Sequence, residues 1–261
     1  QQRFYKAAAT VSIGSRRCGT PHLSSATHCV QKALTASKKN IINPMSKTYF
    51  ISGIDTDAGK SYCTGWWAKQ MAVLGQKVIT QKFIQTGNLE FSEDIDLHRR
   101  LMGIDMLPED IDHTTAPVIF SYPCSPHLAA RIDGKEINLS IIDDATQRLL
   151  EKYDVVLIEG AGGLMVPISD DCFTIDYVVT RKLPLVLVVH GGLGSINHTI
   201  LSLEAIKQRD IQLPYILYNR HFDTDKEIAA ETRAFLSRYL SLHFPDTRII
   251  DVPNIPIEQF N

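Results

Sequence analysis

The chain has 261 residues, 44% hydrophobic and 21% charged, which is ordinary for a globular protein able to bury a sizeable core. Its 27 basic and 29 acidic residues are unevenly spread: residues 1–45 hold seven Lys/Arg and no Asp or Glu, leaving residues 46–261 at a net −9. An acidic body argues against duplex nucleic acid as the main partner, and no apolar run has the length of a membrane-spanning helix. The five cysteines (Cys18, Cys29, Cys63, Cys124, Cys172) are dispersed and show no C-x-x-C spacing, which suits reduced thiols in the cytoplasm and not a disulfide framework or zinc site.

Residues 1–44 mix Ser, Thr and Ala with Arg and Lys and show no apolar period. An organellar leader, upstream translated sequence and a nucleic-acid arm all have this character, although dense Arg runs and interleaved aromatics are lacking. The segment is read as a disordered or non-native extension, with Met45 the natural start and residues 45–261 a single domain.

Residues 48–52 are β-prone and empty into a small-residue turn, after which Gly59-Lys60-Ser61 opens a helical pattern. Strand, phosphate loop, helix is the implied order. Amides at the helix N-terminus face a phosphate with the positive end of the helix dipole behind them. Gly59 lets the backbone approach, Lys60 can reach the β- and γ-phosphates, and the Ser61 hydroxyl can hold Mg²⁺. A strict G-x-x-x-x-G-K-[ST] needs glycine at Ile54; Gly53 comes one residue early, so the loop is a variant. The helix over 60–74 carries Tyr62, Trp66, Trp67, Met71 and Leu74 at helical spacing, with Gly75 placed to cap it. Residues 77–83 form a second strand leading to Ile84-Gln85-Thr86-Gly87. Ligands bind off the carboxyl ends of parallel strands, which puts Lys82 and Thr86 beside the loop; a solvated strand-end lysine fits the pattern equally well.

The charged helix over 92–100 is either a solvated face or the carrier of a carboxylate for the metal. Residues 121–127 form a proline-broken loop into a helix at Leu128, where His127 is either a base or a cap. Asn138 caps an amphipathic helix with Ile141, Ile142, Ala145, Leu149 and Leu150 on one side. The apolar strand 154–159 ends in Glu159, a Walker-B-type carboxylate for the Mg²⁺ shell, and Gly160-Ala161-Gly162-Gly163 behind it lets amides approach phosphate or substrate. A helix (174–181), a buried strand (183–189) and a Gly-rich turn (190–198) follow. That turn opens a helix to Gln208, whose first amides suit an anion such as a substrate carboxylate. The strand 215–219 carries Asn219 at its tip as a possible base reader; a helix (225–240) and a last strand (249–253) complete the chain. Strands alternating with helices imply a three-layer α/β fold, a mostly parallel sheet with helices on both faces, like P-loop NTPases. Right-handed crossovers then bring Lys60, Ser61, Lys82, Thr86, Glu159 and Asn219 to one edge.

At this point a family resemblance is specific. The segment from Gly53 to Ser61 resembles the G-T-D-T-x-x-G-K-[TS] loop of the dethiobiotin synthetases, ligases of the biotin pathway. Residues 82–87 match their K-P-x-x-[ST]-G, Ser125-Pro126-His127 their S-P-H loop, and residues 158–163 their V-E-G-A-G-G. Residues 193–198 match L-G-x-I-N-H, and Asn219 matches the base-reading Asn. The six blocks occur in family order across 46–261.

The resemblance implies ATP- and Mg²⁺-dependent ring closure of 7,8-diaminononanoate with CO₂, through an N-carbamate and a carbamic-phosphoric anhydride. Lys82, Lys60 and Thr56 would be catalytic, and Asp57, Ala58, Gly59, Lys60, Ser61 and Tyr62 would carry ATP phosphates. Asn219, Arg220, Pro253, Asn254 and Ile255 would receive the adenine. Ser61, Glu159 and Asp94 would bind Mg²⁺, Asp94 being chosen over Asp96 two residues on. Thr86, Ser125 and Gly162 would meet the diamine, and Leu193, Gly194, Ser195 and Asn197 its distal carboxylate, from the partner of a homodimer. The departures are Ile54 for Thr and Phe83 for Pro. A partitioning or septum-positioning switch ATPase is the rival reading, but its signature lysine falls at Asp55 here. A cobyrinate-type amide ligase would need an amidotransferase domain for which no sequence remains.

Overall fold

The computed structural model describes residues 48–256 and Gln259, so the readings placed on residues 1–44 and Met45 lie outside the described residues. Six strands form one sheet in the order β2-β5-β1-β6-β7-β8, with every neighbouring pair parallel. They are β1 (Thr48–Gly53), β2 (Val78–Lys82), β5 (Val155–Gly163), β6 (Leu185–His190), β7 (Tyr215–Asn219) and β8 (Arg248–Val252). The central strands read as continuous apolar runs because helices cover both faces of the sheet. Tyr49, Phe50, Ile51, Val156, Leu157, Val186 and Leu187 are all fully buried, each such side chain contributing about 1.5–3 kcal/mol through removal from water.

The helices are α1 (Lys60–Val73), α2 (Glu93–Met102), α3 (Pro108–Ile111), α4 (Pro126–Ile132), α5 (Leu139–Leu150), α6 (Thr174–Thr180), α7 (Ser195–Gln208) and α8 (Lys226–His243). Local chemistry sets their starts. The Ser92 hydroxyl accepts from the Ile95 amide to cap α2, Asn138 accepts from Ser140 to cap α5, and Asp225 accepts from Glu227 and Ile228 to cap α8. α4 begins at Pro126, ahead of the expected Leu128, because proline suits the first turn of a helix. Trp66 and Trp67 pack inward, the Trp67 ring meeting Tyr49 and Tyr215 edge-on at 5.6 and 5.3 Å.

The chain runs outward from β1 to β2, returns to insert β5 between them, then crosses to β6 on the other flank of β1. The carboxyl end of β1 is therefore the switch point where an open α/β sheet parts to admit a ligand. Register decides what meets there: Glu159 pairs with Ile51 on one side and with Lys82 on the other. Two features depart from the sequence reading. Gln85–Thr86 (β3) pairs in parallel with Ile119–Phe120 (β4) as a second, two-stranded sheet, too short to show any period. β5 continues through Gly163, past the expected strand end at Glu159, because Gly163 pairs with Gly53 beyond an irregularity in the ladder.

Candidate active site

A cavity of about 420 Å³ opens at the switch point. Thr56, Asp57, Gly59, Lys60, Ser61, Tyr62, Lys82, Thr86, Asp94, Glu159 and Gly162 line it, drawing together most of the residues expected there. The phosphate loop turns tightly. A Cβ at Gly53 would stand 2.9 Å from the Asp55 carbonyl oxygen and 3.1 Å from Lys60 Cγ. Gly59 caps α1 at φ 82°, and a Cβ there would collide with Asn219 Nδ2. Ile54 needs no such freedom, since its amide donates to Val188 O at 3.0 Å and extends the sheet by one residue.

Lys60 Nζ folds back over the loop, donating to the carbonyls of Asp55 and Thr56 at 2.9 Å each. Burial outweighs the carboxylates around it and lowers its pKa to about 8. The Ser61 hydroxyl lies 2.7 Å from Asp94 Oδ1 and 2.9 Å from Glu159 Oε1. One hydroxyl proton cannot satisfy both, so three hard oxygens converge with more lone pairs than protons. Among the described residues no group of three or more His, Cys, Asp or Glu could hold a metal. The Ser/Asp/Glu set instead suits Mg²⁺, which takes one or two carboxylates and completes its shell with water and phosphate oxygens.

Lys82 is no solvated strand-end lysine. It is buried, with Nζ 2.5 Å from Asp94 Oδ2 and 2.7 Å from Glu159 Oε1, and it donates to Gly160 O at 3.3 Å. Burial opposes its charge, but the two carboxylates outweigh it and raise the pKa. Burial would likewise raise the Glu159 carboxyl; Lys82 and His98 together hold it well below the usual range. Phe83, where the resembled motif has proline, gives its amide to Glu159 O at 2.8 Å, a bond that proline cannot make.

Asp94 faces this cluster, whereas Asp96 points outward and pairs with Arg100 one turn on. At the other end of the loop, Asn219 Nδ2 donates to Ala58 O at 3.1 Å. The Tyr62 hydroxyl meets the carbonyls of Pro253 and Ile255 at 2.9 and 3.0 Å and accepts from the Ile255 amide. Asn254 Oδ1 lies 3.1 Å from His221 Nδ1, and Arg220 pairs with Asp223 at the surface. Five expected substrate residues lie away from the cavity. Leu193, Gly194 and Asn197 are exposed at the start of α7, and the Ser195 amide is taken by Gly192 O. Ser125 stands at the N-cap position of α4, without a side-chain capping bond, outside the cavity lining. His127 lines a separate cleft with Arg131 and Cys172, which removes it as a base for this cavity.

The sequence reading gave no role to His98, Thr80 and Arg99. His98 is fully buried, with Nε2 2.7 Å from Glu159 Oε2 and Nδ1 3.0 Å from Thr80 Oγ1. Arg99 donates to Thr80 Oγ1 at 2.9 Å and forks onto Asp110 with two 2.8 Å bonds. The available signal was spacing: His98 lies one helical turn after Asp94, on the same face.

A profile described as an AAA domain matches residues 47–256. The chain is 47% identical to the ATP-dependent dethiobiotin synthetase BioD 2 of Pasteurella multocida, over 78% of this chain and 95% of that protein. It is 48% identical to the protein of the same name from Haemophilus ducreyi, over 79% and 98% respectively. It is also 48% identical to the ATP-dependent dethiobiotin synthetase BioD of Chlorobaculum tepidum, over 77% and 85%. Among solved structures, the MinC:MinD cell division complex of Aquifex aeolicus matches with a TM-score of 0.50 at 15% identity, covering 82% of this chain and 85% of that one. A putative plasmid partition protein of Borrelia burgdorferi bound to AMPPNP also scores 0.50 at 15% identity, covering 84% and 91%. These two likenesses are of fold. With near-half identity along almost the full length of its relatives, the chain belongs to the ATP-dependent dethiobiotin synthetase family, enzymes of the ATP-dependent ligase class.

Proposed function

We propose that this chain converts 7,8-diaminononanoate, CO₂ and ATP into dethiobiotin, ADP and phosphate. One amine of the substrate takes up CO₂ as a carbamate, and a carbamate oxygen attacks the γ-phosphorus, releasing ADP. The second amine then attacks the carbonyl carbon of the mixed anhydride, loses its proton and expels phosphate, closing the cyclic urea. Such chemistry asks the protein for positioning and charge neutralisation more than for covalent help.

The residues divide that work. Asp57 to Tyr62 carry the phosphates, and Lys60 leaves its loop carbonyls to stabilise charge on the γ-phosphate. Lys82 holds carbamate and phosphate oxygens together, while Thr56, Thr86 and Gly162 orient the diamine. Ser61, Asp94 and Glu159 hold Mg²⁺, which would neutralise phosphate charge there. Asn219, Arg220 and the 253–255 segment tethered by Tyr62 receive the adenine. Leu193, Gly194, Ser195 and Asn197 stand apart from the cavity, which fits a contact between this turn and the substrate carboxylate held by the second subunit of a cytoplasmic homodimer.

The observation that carries the reading is Lys82: a buried ammonium bridging two carboxylates across the cavity from a phosphate loop. A switch ATPase keeps its extra lysine inside the loop, where this chain has Asp55. The test is ATP turnover, with dethiobiotin followed by mass spectrometry. Phosphate release strictly dependent on diaminononanoate and bicarbonate supports the ligase. Rapid hydrolysis without diamine, or stimulation by DNA or lipid, would sink it.

A further inference from the structure

His98 is a fully buried titratable side chain that the reaction just described leaves unused. It stands directly behind Glu159, whose two oxygens face different ways: Oε1 toward Ser61 and Lys82, Oε2 toward His98 Nε2 at 2.7 Å. An ionised carboxylate only accepts, so Nε2 carries a proton. Arg99 only donates, so its 2.9 Å bond occupies a lone pair of Thr80 Oγ1. The hydroxyl proton of Thr80 is then free to point at His98 Nδ1, 3.0 Å away, which accepts in the neutral ring. In that arrangement the bonds run one way, from Arg99 through Thr80 and His98 to Glu159.

We propose that His98 is a positioning residue for the metal carboxylate: held by Thr80, it pins Glu159 Oε2 and so presents Oε1 to Ser61 and a bound Mg²⁺. The inference rests on the reading of Glu159 as a metal ligand. Without the His98 bond the carboxylate is free to turn about its last C–C bond, and Oε1 no longer holds its place before Ser61. Partners that orient ligands from behind in this way typically govern metal affinity by about 10–100-fold.

The test is Mn²⁺ affinity of the full chain with ADP, followed by electron paramagnetic resonance, beside thermal unfolding without metal. His98→Leu keeps the volume but loses both bonds, and it should weaken Mn²⁺ binding about tenfold or more. In His98→Gln the amide N–H can serve Glu159 and the amide oxygen Thr80, so affinity should stay within about threefold of the parent. Should His98→Leu fail to fold, His98→Asn, whose amide is too short to span Thr80 and Glu159, takes its place with the same expected loss. A folded His98→Leu (or Asn) with parental Mn²⁺ affinity overturns the proposal, as does a His98→Gln that binds as weakly as either. Glu159→Gln separates the two ideas: parental affinity in that variant overturns the metal-ligand reading itself.

Discussion

Replacing Lys82 with methionine keeps most of the side chain's volume and removes an ammonium that touches Asp94 at 2.5 Å and Glu159 at 2.7 Å. Breaking a buried ion pair from one side costs about 3–5 kcal/mol, because a charge is left without its partner. The Asp94 side chain keeps 26% of its surface in water, which screens part of its charge, so the low end, about 3 kcal/mol, is expected. For a domain of this size that is a fall of about 6–12 °C in Tm. The sign with pH follows from Glu159, whose carboxyl Lys82 helps to hold below its usual range. A depressed carboxylate contributes stability above its unfolded pKa and loses it as pH falls through the folded value. The deficit of the variant is therefore largest at neutral pH and narrows in acid. It narrows also with Mg²⁺ and ADP, since a cation among the same oxygens replaces the lost charge and binds only the folded state. Dethiobiotin formation should drop by about 10²–10³, the usual loss for one preorganised charge-stabilising donor. Circular dichroism melts with and without ligand, beside product analysis, read all of this. A ligand-free Lys82→Met that melts with the parent, or one that makes dethiobiotin at the parental rate, refutes the reasoning.

Three further outcomes follow from the same geometry. Asp94→Asn should raise the Mg²⁺ concentration for half-maximal turnover by about tenfold or more, while Asp96→Asn, whose carboxylate only pairs with Arg100 at the surface, should not; equal effects would reject Asp94 as the ligand. Tyr62→Phe removes the tether on Pro253 and Ile255, at about 1 kcal/mol per hydrogen bond lost, so ADP affinity should fall about fivefold or more. Unchanged affinity by calorimetry would show that the segment does not form the base site. Lys60, lowered to about 8 by burial, begins to lose its proton in the free protein just above neutrality. A lysine with a depressed folded pKa carries a cost of burying charge below that value, and the cost fades as pH rises. Bound phosphate reverses the preference by favouring the charged form. ADP affinity should therefore hold near neutral pH and fall as pH rises through about 8, but stay level in Lys60→Arg; a flat profile in the parent chain would contradict the burial argument.

What could be read from the sequence was what is local. The apolar runs of β1, β5 and β6 announce buried parallel strands because their burial is nearly uniform, and Gly59-Lys60-Ser61 announces phosphate because its chemistry lies in consecutive residues. Register was not legible. That Lys82 sits opposite Glu159 depends on β5 entering the sheet between β2 and β1, a pairing across 77 residues. α2 concealed more. Its charges suit a wet surface, and Asp96 and Arg100 do lie there, but Asp94 turns to the cavity while His98 and Arg99 are buried. Hydropathy cannot separate these cases, because a charge is buried only where a partner from another element meets it. For His98 that partner is 61 residues away, for Arg99 it is Asp110.

The misplaced glycine of the phosphate loop shows how motif and structure diverge. Counted as a string, the loop lacks its first glycine at Ile54 and has one too early. In space β1 is still a strand at Gly53, which pairs with Val188 of β6 and Gly163 of β5, and the Ile54 amide still bonds to Val188 O. The chain turns beneath Lys60, and the crowding falls on residue 53: its added Cβ would meet the Asp55 carbonyl, the Lys60 stem and Ala58 within 3.2 Å. Glycine belongs where the backbone is crowded, and the apolar Ile54 belongs where the sheet continues and a buried side chain is wanted. The shift by one residue therefore leaves the cradle intact. It lets the Asp55 and Thr56 carbonyls hold the Lys60 ammonium over the loop at 2.9 Å, in position to be exchanged for a phosphate.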